Sequence, residues 1–250
     1  MKCLTKYENN CIIYKTNKIK GAFPMKSKML AVNIVLMLVT VFMGIYYTLN
    51  GTLAVKGLAA VTFVFIGAVN LCYCLFSRIK PIRFPVFIVS GLVFSMLGDI
   101  VLSISFIPGA VLFAMGHILY FMAHLTLFVF SVKDLVPSFL LFVPTTVFIT
   151  VSPIFDFGSS LMLGVCVCYT LIISLMVGKA VSNALKKPSA LTFTLLLGSV
   201  LFFFSDFMLV LRMFGDIPRI GDWLCLMSYF PAQALLGHSV YRYAKAEKHD

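Results

Sequence analysis

The sequence predicts an all-α, polytopic integral membrane protein, a single bundle of eight transmembrane helices, and three observations carry that prediction. Of 250 residues, 61% are hydrophobic and 12% charged, with mean hydropathy +1.02; a soluble domain has about 45–50% apolar and about 25% charged residues. Apolar runs of about 20 residues, the length that crosses a bilayer as a helix, recur with only short polar punctuation. The basic residues gather on alternate connecting segments. This pattern excludes a large extramembrane catalytic domain, a soluble enzyme on one anchor, and most cofactor-binding folds.

Taken in order, residues 1–28 are polar and Lys-rich with no apolar period, and they are expected to be disordered. Met25 followed by Lys26-Ser27-Lys28 reads as a natural start, which makes residues 1–24 dispensable. The first apolar run is too long for a secretory h-region and has no small-residue cleavage site behind it. Eight spans follow, at 29–49, 53–77, 85–105, 109–131, 135–151, 159–178, 189–211 and 222–242, with a cytoplasmic tail at 243–250. The fifth is the weakest, short and carrying Pro137 and Pro144, but backbone groups freed by proline can be satisfied inside a bundle. Short connections make consecutive helices antiparallel neighbours.

The net charge is +11, and its distribution reads as topology and contact with membrane lipids rather than as a nucleic-acid footprint. Of 20 Lys and Arg, 17 fall on one set of alternating segments: seven before the first span, Arg78, Lys80 and Arg83, Lys133, Lys179, Lys186 and Lys187, and Arg242, Lys245 and Lys248. The opposite side has Arg212 and Arg219, offset by Asp216 and Asp222. Both termini are therefore expected in the cytoplasm. The seven cysteines are odd in number, contain no CxxC pair, and lie mostly in apolar runs, so they read as buried thiols.

Ionisable residues within the spans carry the functional argument, because charge there is expensive and normally faces the bundle interior. By the predicted boundaries, Asp99 lies about 9 Å and Asp206 about 8 Å below the outer ends of their helices, at 1.5 Å per residue. Lys56 and His117 enter from the same side, at about 5 and 12 Å. Four polar groups from four helices are thus expected in one layer, away from the cytoplasm. Phe113, His117, Tyr120 and His124 share a face of the fourth helix, and Tyr229 and Gln233 share one of the eighth. The bland alternatives are an ion pair of the aspartates with Lys56 or Arg212, and a histidine that only bridges helices. No metal is expected, since His117 and His124, seven residues apart, are poorly placed to share an ion.

A short internal echo accompanies these residues. Gly98-Asp99 in the third helix and Ser205-Asp206 in the seventh each put a small residue before an aspartate, and in the next helix Tyr120 precedes His124 as Tyr229 precedes Gln233. Four helices per half give both halves the same orientation, so the echo implies a parallel four-plus-four repeat.

The stretch Gly91-Leu-Val-Phe-Ser-Met-Leu-Gly98-Asp99-Ile-Val-Leu102, followed by Gly109, Phe113, His117 and Tyr120, resembles the first signature of the YhhN-like lysoplasmalogenase family. Gly198-Ser-Val-Leu-Phe202-Phe-Phe-Ser205-Asp206, with Tyr229 and Ala232-Gln233, resembles the second. Lys56 matches a lysine of the family's second helix, commonly followed there by proline and here by Gly57. The resemblance implies hydrolysis of the vinyl-ether bond of a lysoplasmalogen, lysoplasmenylcholine or lysoplasmenylethanolamine, to a fatty aldehyde and a glycerophospho-base. It makes Asp99 and Asp206 the expected catalytic pair, with one carboxyl as acid and one carboxylate stabilising the oxocarbenium ion, as in glycosidases. Lys56, Arg212, His117, Tyr120, Tyr229 and Gln233 are the expected substrate-binding residues, with Lys56 and Arg212 on the phosphate. No metal or organic cofactor is required. The competing class is a small transporter or lipid-binding protein that uses the aspartates as proton or cation sites; release of aldehyde separates the two.

Overall fold

The computed structural model describes residues 28–215 and 220–248. They form eight helices: α1 (Lys28–Asn50), α2 (Leu53–Phe76), α3 (Arg83–Leu102), α4 (Phe106–Leu127), α5 (Leu135–Val151), α6 (Ser160–Lys186), α7 (Ala190–Phe214) and α8 (Ile220–Glu247). The expectations for residues 1–27, Asp216 and Arg219 lie outside the described residues. Residues up to Leu36 form one compact unit and Met37 onward another. The second unit holds every candidate site residue.

Seven helices, α1 to α7, are long and apolar enough to cross a membrane. The eighth is the longest, at 28 residues, but too polar to qualify by the same measure. Its polarity has a physical reason. α8 packs against α2, α3 and α7, and Ser228, Tyr229, Gln233 and Ser239 on it are all buried. A helix sheltered by protein on several sides meets little lipid, so its polar groups need protein partners rather than removal.

The helix boundaries differ from those expected in an instructive way. α3 begins at Arg83 and α4 at Phe106, each with a proline, Pro85 or Pro108, in third position. The first turn has no intrahelical use for a proline's missing N–H, so the helix starts ahead of the ring rather than at or after it. α6 runs to Lys186, eight residues beyond its expected end at 178, and buries Lys179, Ser182 and Asn183. These lysines, expected on a cytoplasmic loop, instead belong to a helix and bind one carboxylate. Lys179 Nζ donates to Asp134 Oδ2 at 2.7 Å and Lys186 Nζ to Asp134 Oδ1 at 2.6 Å. A short 3₁₀ turn, Val132–Asp134, presents that carboxylate, and Ser131 and Asp134 cap each other across it. Likewise α8 continues to Glu247, with Tyr243 buried and its hydroxyl donating to Pro81 O at 2.8 Å, so most of the expected tail is helix.

The principal pairings are α3 on α4, α7 on α8, α5 on α6, α2 on α3, α4 on α6 and α2 on α8. At one end, phenylalanines from three segments pack together. The ring centroids of Phe106 and Phe214 are 5.0 Å apart, those of Phe214 and Phe157 4.8 Å, and those of Phe157 and Phe155 5.7 Å. The α5–α6 loop is fastened there by Asp156 N–H donating to Phe214 O at 2.8 Å.

Candidate active site

α7 is started by Ser189, whose side chain accepts from Thr192 N–H, and it carries Asp206 eight residues before its end, about 12 Å down the axis. Tyr169 of α6 donates to Asp206 Oδ2 at 2.5 Å. His117 Nε2 of α4 lies 3.0 Å from the same oxygen and 2.7 Å from Tyr169 OH. His117 is fully buried and its Nδ1 has no hydrogen-bond partner among the described residues. Two lone pairs facing each other across 3.0 Å would repel, so the Oδ2···Nε2 contact holds a proton, on the imidazole or on the carboxyl.

Asp99, on α3, has different company. Tyr229 of α8 donates to Asp99 Oδ2 at 2.6 Å. Lys56 comes from the first turn of α2, which Thr52 caps. Its Nζ donates to Asp99 O at 2.7 Å and to Ser103 Oγ at 3.2 Å, and lies 3.5 Å from Asp99 Oδ1. With three oxygens around it and a side chain only 10% exposed, the ammonium is committed to α3 rather than left free for a phosphate.

Aromatic rings join the two clusters. Phe202 meets the His117 ring at 4.5 Å and the Tyr229 ring at 5.5 Å, both edge-on. Phe113 packs edge-on to Phe202 and to Tyr229, at 6.2 and 6.1 Å. The glycine ahead of Asp99 is what admits Phe113: a Cβ on Gly98 would stand 2.8 Å from that ring. Behind this layer Tyr120 donates to Gln233 Oε1 at 2.9 Å and lies 3.4 Å from Ser95 Oγ. One turn further along α4, His124 contacts Ser199 Oγ at 3.3 Å.

Asp206 borders two small cavities, each with room for about one water molecule. One, of about 20 Å³ between α4, α6 and α7, is lined by Ala110, Phe113, Val165, Tyr169 and Asp206. The other, also of about 20 Å³, lies towards α5 and reaches Asp206 past Thr145, Ile149 and Phe207. Asp99 lines neither.

The structure thus brings Asp206 and His117 together, and Asp99, Lys56 and Tyr229 together, with Tyr120 and Gln233 behind both. The polar groups expected together form two clusters, or tiers, joined by the ring layer of Phe113, Phe202 and Tyr229. α3 ends three residues earlier and α7 three later than their apolar runs suggested, which leaves Asp99 about 4–5 Å and Asp206 about 12 Å from their helix ends. Arg212 joins neither tier. It is half exposed near the end of α7, with Nε 2.6 Å from Asp222 Oδ1. Tyr169 escaped the sequence reading because nothing marks a lone tyrosine in an apolar run. The Asp134 cluster was legible in principle, since Ser131-Val-Lys-Asp134 has the spacing of a capping box.

No curated protein and no solved structure matches the chain. The profile of the YhhN family matches residues 52–240, a stretch that begins at the cap of α2, covers both aspartate motifs and takes in α8 as far as Val240. Since the match spans about three quarters of the sequence and contains every residue of the two tiers, the chain belongs to the YhhN family.

Proposed function

We propose that this protein is a membrane-embedded hydrolase that cleaves the vinyl-ether bond of lysoplasmalogens, with Asp206 and His117 as the proton-handling pair. The observation that carries the reading is the setting of Asp206: a buried carboxylate sharing a proton with an imidazole, held by a tyrosine, and facing apolar cavities. Hydrolysis of a vinyl ether starts with proton transfer to the β-carbon, giving an oxocarbenium ion at the α-carbon. The Asp206–His117 pair, neutral overall when a carboxyl proton or a second imidazole N–H is present, supplies that proton and is left with one negative charge beside the cation. Water then adds to the α-carbon and returns a proton to the same pair. The resulting hemiacetal breaks its bond to the glycerol oxygen, releasing fatty aldehyde and glycerophospho-base. Protein-derived charge and shape suffice for each step.

In this reading the two aspartates are not equivalent. Asp99, ion-paired to Lys56, fixes Tyr229, and Tyr229 with Phe113 and Phe202 forms the wall of the site. Lys56 is then a positioning residue, and Arg212, half exposed near the end of α7, is the group for the phosphate. Tyr120 and Gln233 support the wall from behind. A parallel repeat fits the same arrangement: exchanging α1–α4 for α5–α8 maps the α3–α4 pairing onto α7–α8 and the α4–α6 pairing onto α8–α2. Each aspartate receives a partner from the fourth helix of the other half, His117 for Asp206 and Tyr229 for Asp99. We further place both termini in the cytoplasm; a reporter active only there should work when fused after Asp250 and fail in the 152–158 loop.

The test is aldehyde release by purified full-length protein from lysoplasmenylcholine and lysoplasmenylethanolamine, with Asp206→Asn as the control. Turnover by wild type that Asp206→Asn abolishes supports the hydrolase. Absence of turnover, with uptake of protons or cations into proteoliposomes, would favour the transporter reading instead.

A further inference from the structure

At the end of the bundle nearest Asp206 the phenylalanine rings and the α5–α6 loop pack together, and a lipid that starts within the bilayer needs a lateral route to the carboxylate. On the flank there is one. A groove of about 470 Å³ runs between α4 and α6, lined by Ala110 and Ala114 on one side and by Gly164, Val165, Cys168 and Tyr169 on the other. Small side chains make it: a Cβ placed on Gly164 would meet nothing within 4 Å. Its α6 lining extends from Ser160 to Ile172, about 18 Å at 1.5 Å per residue. One leaflet of a hydrocarbon core about 30 Å thick is about 15 Å deep, so the groove is as long as a single lipid chain. Ala110, Val165 and Tyr169 line both this groove and the inner cavity that Asp206 lines. Tyr169 stands at the junction, its hydroxyl on Asp206 Oδ2.

We propose that the α4–α6 groove is the lateral portal and binding channel for the hydrocarbon chain of the lysolipid substrate, with Tyr169 as its inner gate. This rests on the hydrolase reading for the identity of the lipid, but not for the existence of the channel. The chain lies along α6 across the depth of one leaflet, and its vinyl-ether end reaches the carboxylate past the tyrosine ring. Tyr169 therefore has two roles: it orients Asp206 through its hydroxyl, and its ring sets how wide a chain can pass.

The experiment uses full-length protein in liposomes and a lysolipid with a photoreactive diazirine on its alkyl chain. Crosslinks are expected within residues 160–172 and on α4 near Ala110 and Ala114. They should be competed by unlabelled lysoplasmalogen and not by diacyl phosphatidylcholine. Gly164→Phe puts a ring into the groove from a position where a Cβ meets nothing within 4 Å, so the melting temperature should change little. The substitution should lower both labelling and kcat/KM about tenfold, chiefly through KM, the effect of leaving roughly two methylenes out of apolar surroundings. Leu140→Phe, on an exposed face of α5 away from the groove and from Asp206, should change neither. Labels concentrated on Thr145, Phe203 and Phe207 would overturn the proposal in favour of the α5 route, as would equal competition by the diacyl lipid, which would make the groove a site for bulk lipid only. Should Gly164→Phe not fold, the wild-type label pattern still decides. Specific labelling in the groove without any aldehyde release would instead overturn the hydrolase and leave the channel standing.

Discussion

Asp99 and Asp206 begin as near copies in sequence and end in different surroundings. Asp99 is given a lysine, which contacts both its backbone and its carboxylate, and it lines neither of the two cavities that Asp206 borders. Asp206 is given a histidine and a tyrosine and stands between two cavities. A fully compensated carboxylate is what a bundle needs in order to tolerate charge in the membrane. A carboxylate partnered only by groups that exchange protons, and open to apolar space, is what chemistry needs. The cluster around Asp134 extends the comparison: Asp134 is bound by two lysines and is as buried as either, so burial alone does not mark the reactive member.

The strongest way to break the contrast is Asp206→Asn. Asparagine keeps the shape and most hydrogen bonds but removes the acid, and turnover should fall by at least about a hundredfold, the low end of general acid contributions. Thermal stability should change little. If Asp99→Asn lowered turnover per folded molecule as much as Asp206→Asn, the two tiers would have to be read as one catalytic dyad.

Next in size is Lys56→Met. Removing one partner of a buried ion pair leaves the other uncompensated, at about 3–5 kcal/mol. The expected result is a large loss of folded yield, and adding Asp99→Asn should restore much of it. A variant that instead folds normally and only raises KM would return Lys56 to the substrate phosphate.

A third, smaller effect is expected for Tyr169→Phe, which removes one hydrogen bond to Asp206 and keeps the ring. Such a bond to a charged group is worth about 1.5–3 kcal/mol, so kcat should fall about tenfold or somewhat more, with KM little changed. Tyr169→Ala, which also removes the ring, should in addition widen the range of chains accepted. The smallest effect is expected for Arg212→Met. An exposed cation of this kind contributes at most about 1 kcal/mol, so KM should rise up to about fivefold and the effect should fade in high salt.

These contrasts also show what a linear reading reaches. The eight helices, both aspartates, His117, Tyr229 and the face shared by Phe113, His117 and Tyr120 are legible, because apolar runs and lone polar groups within them are strong signals. The ends of helices were less so. Pro85 and Pro108 look like boundaries and lie within first turns, and the polar stretch from Lys179 to Lys186 looks like a loop and is helix, because Asp134 satisfies its charges from 45 residues away. Partner choice was the least legible. Nothing in the neighbourhood of Asp99 and Asp206 says that one receives Lys56 and the other Tyr169, since those pairings come from the packing of α2 on α3 and of α6 on α7.

The polarity of α8 has a consequence for how the protein is made. Helices that qualify on apolarity can partition into the bilayer singly and pack afterwards, whereas a segment carrying Gln233, His238 and Arg242 gains little from lipid alone. α8 follows the other seven, so during synthesis its socket against α2, α3 and α7 can exist before it does. Until α8 docks, Asp99 lacks Tyr229 and the ring wall lacks one side. Completion of the bundle and completion of the site are therefore the same event, and a chain stalled before α8 would carry an unfinished, polar-lined cleft that marks it for quality control.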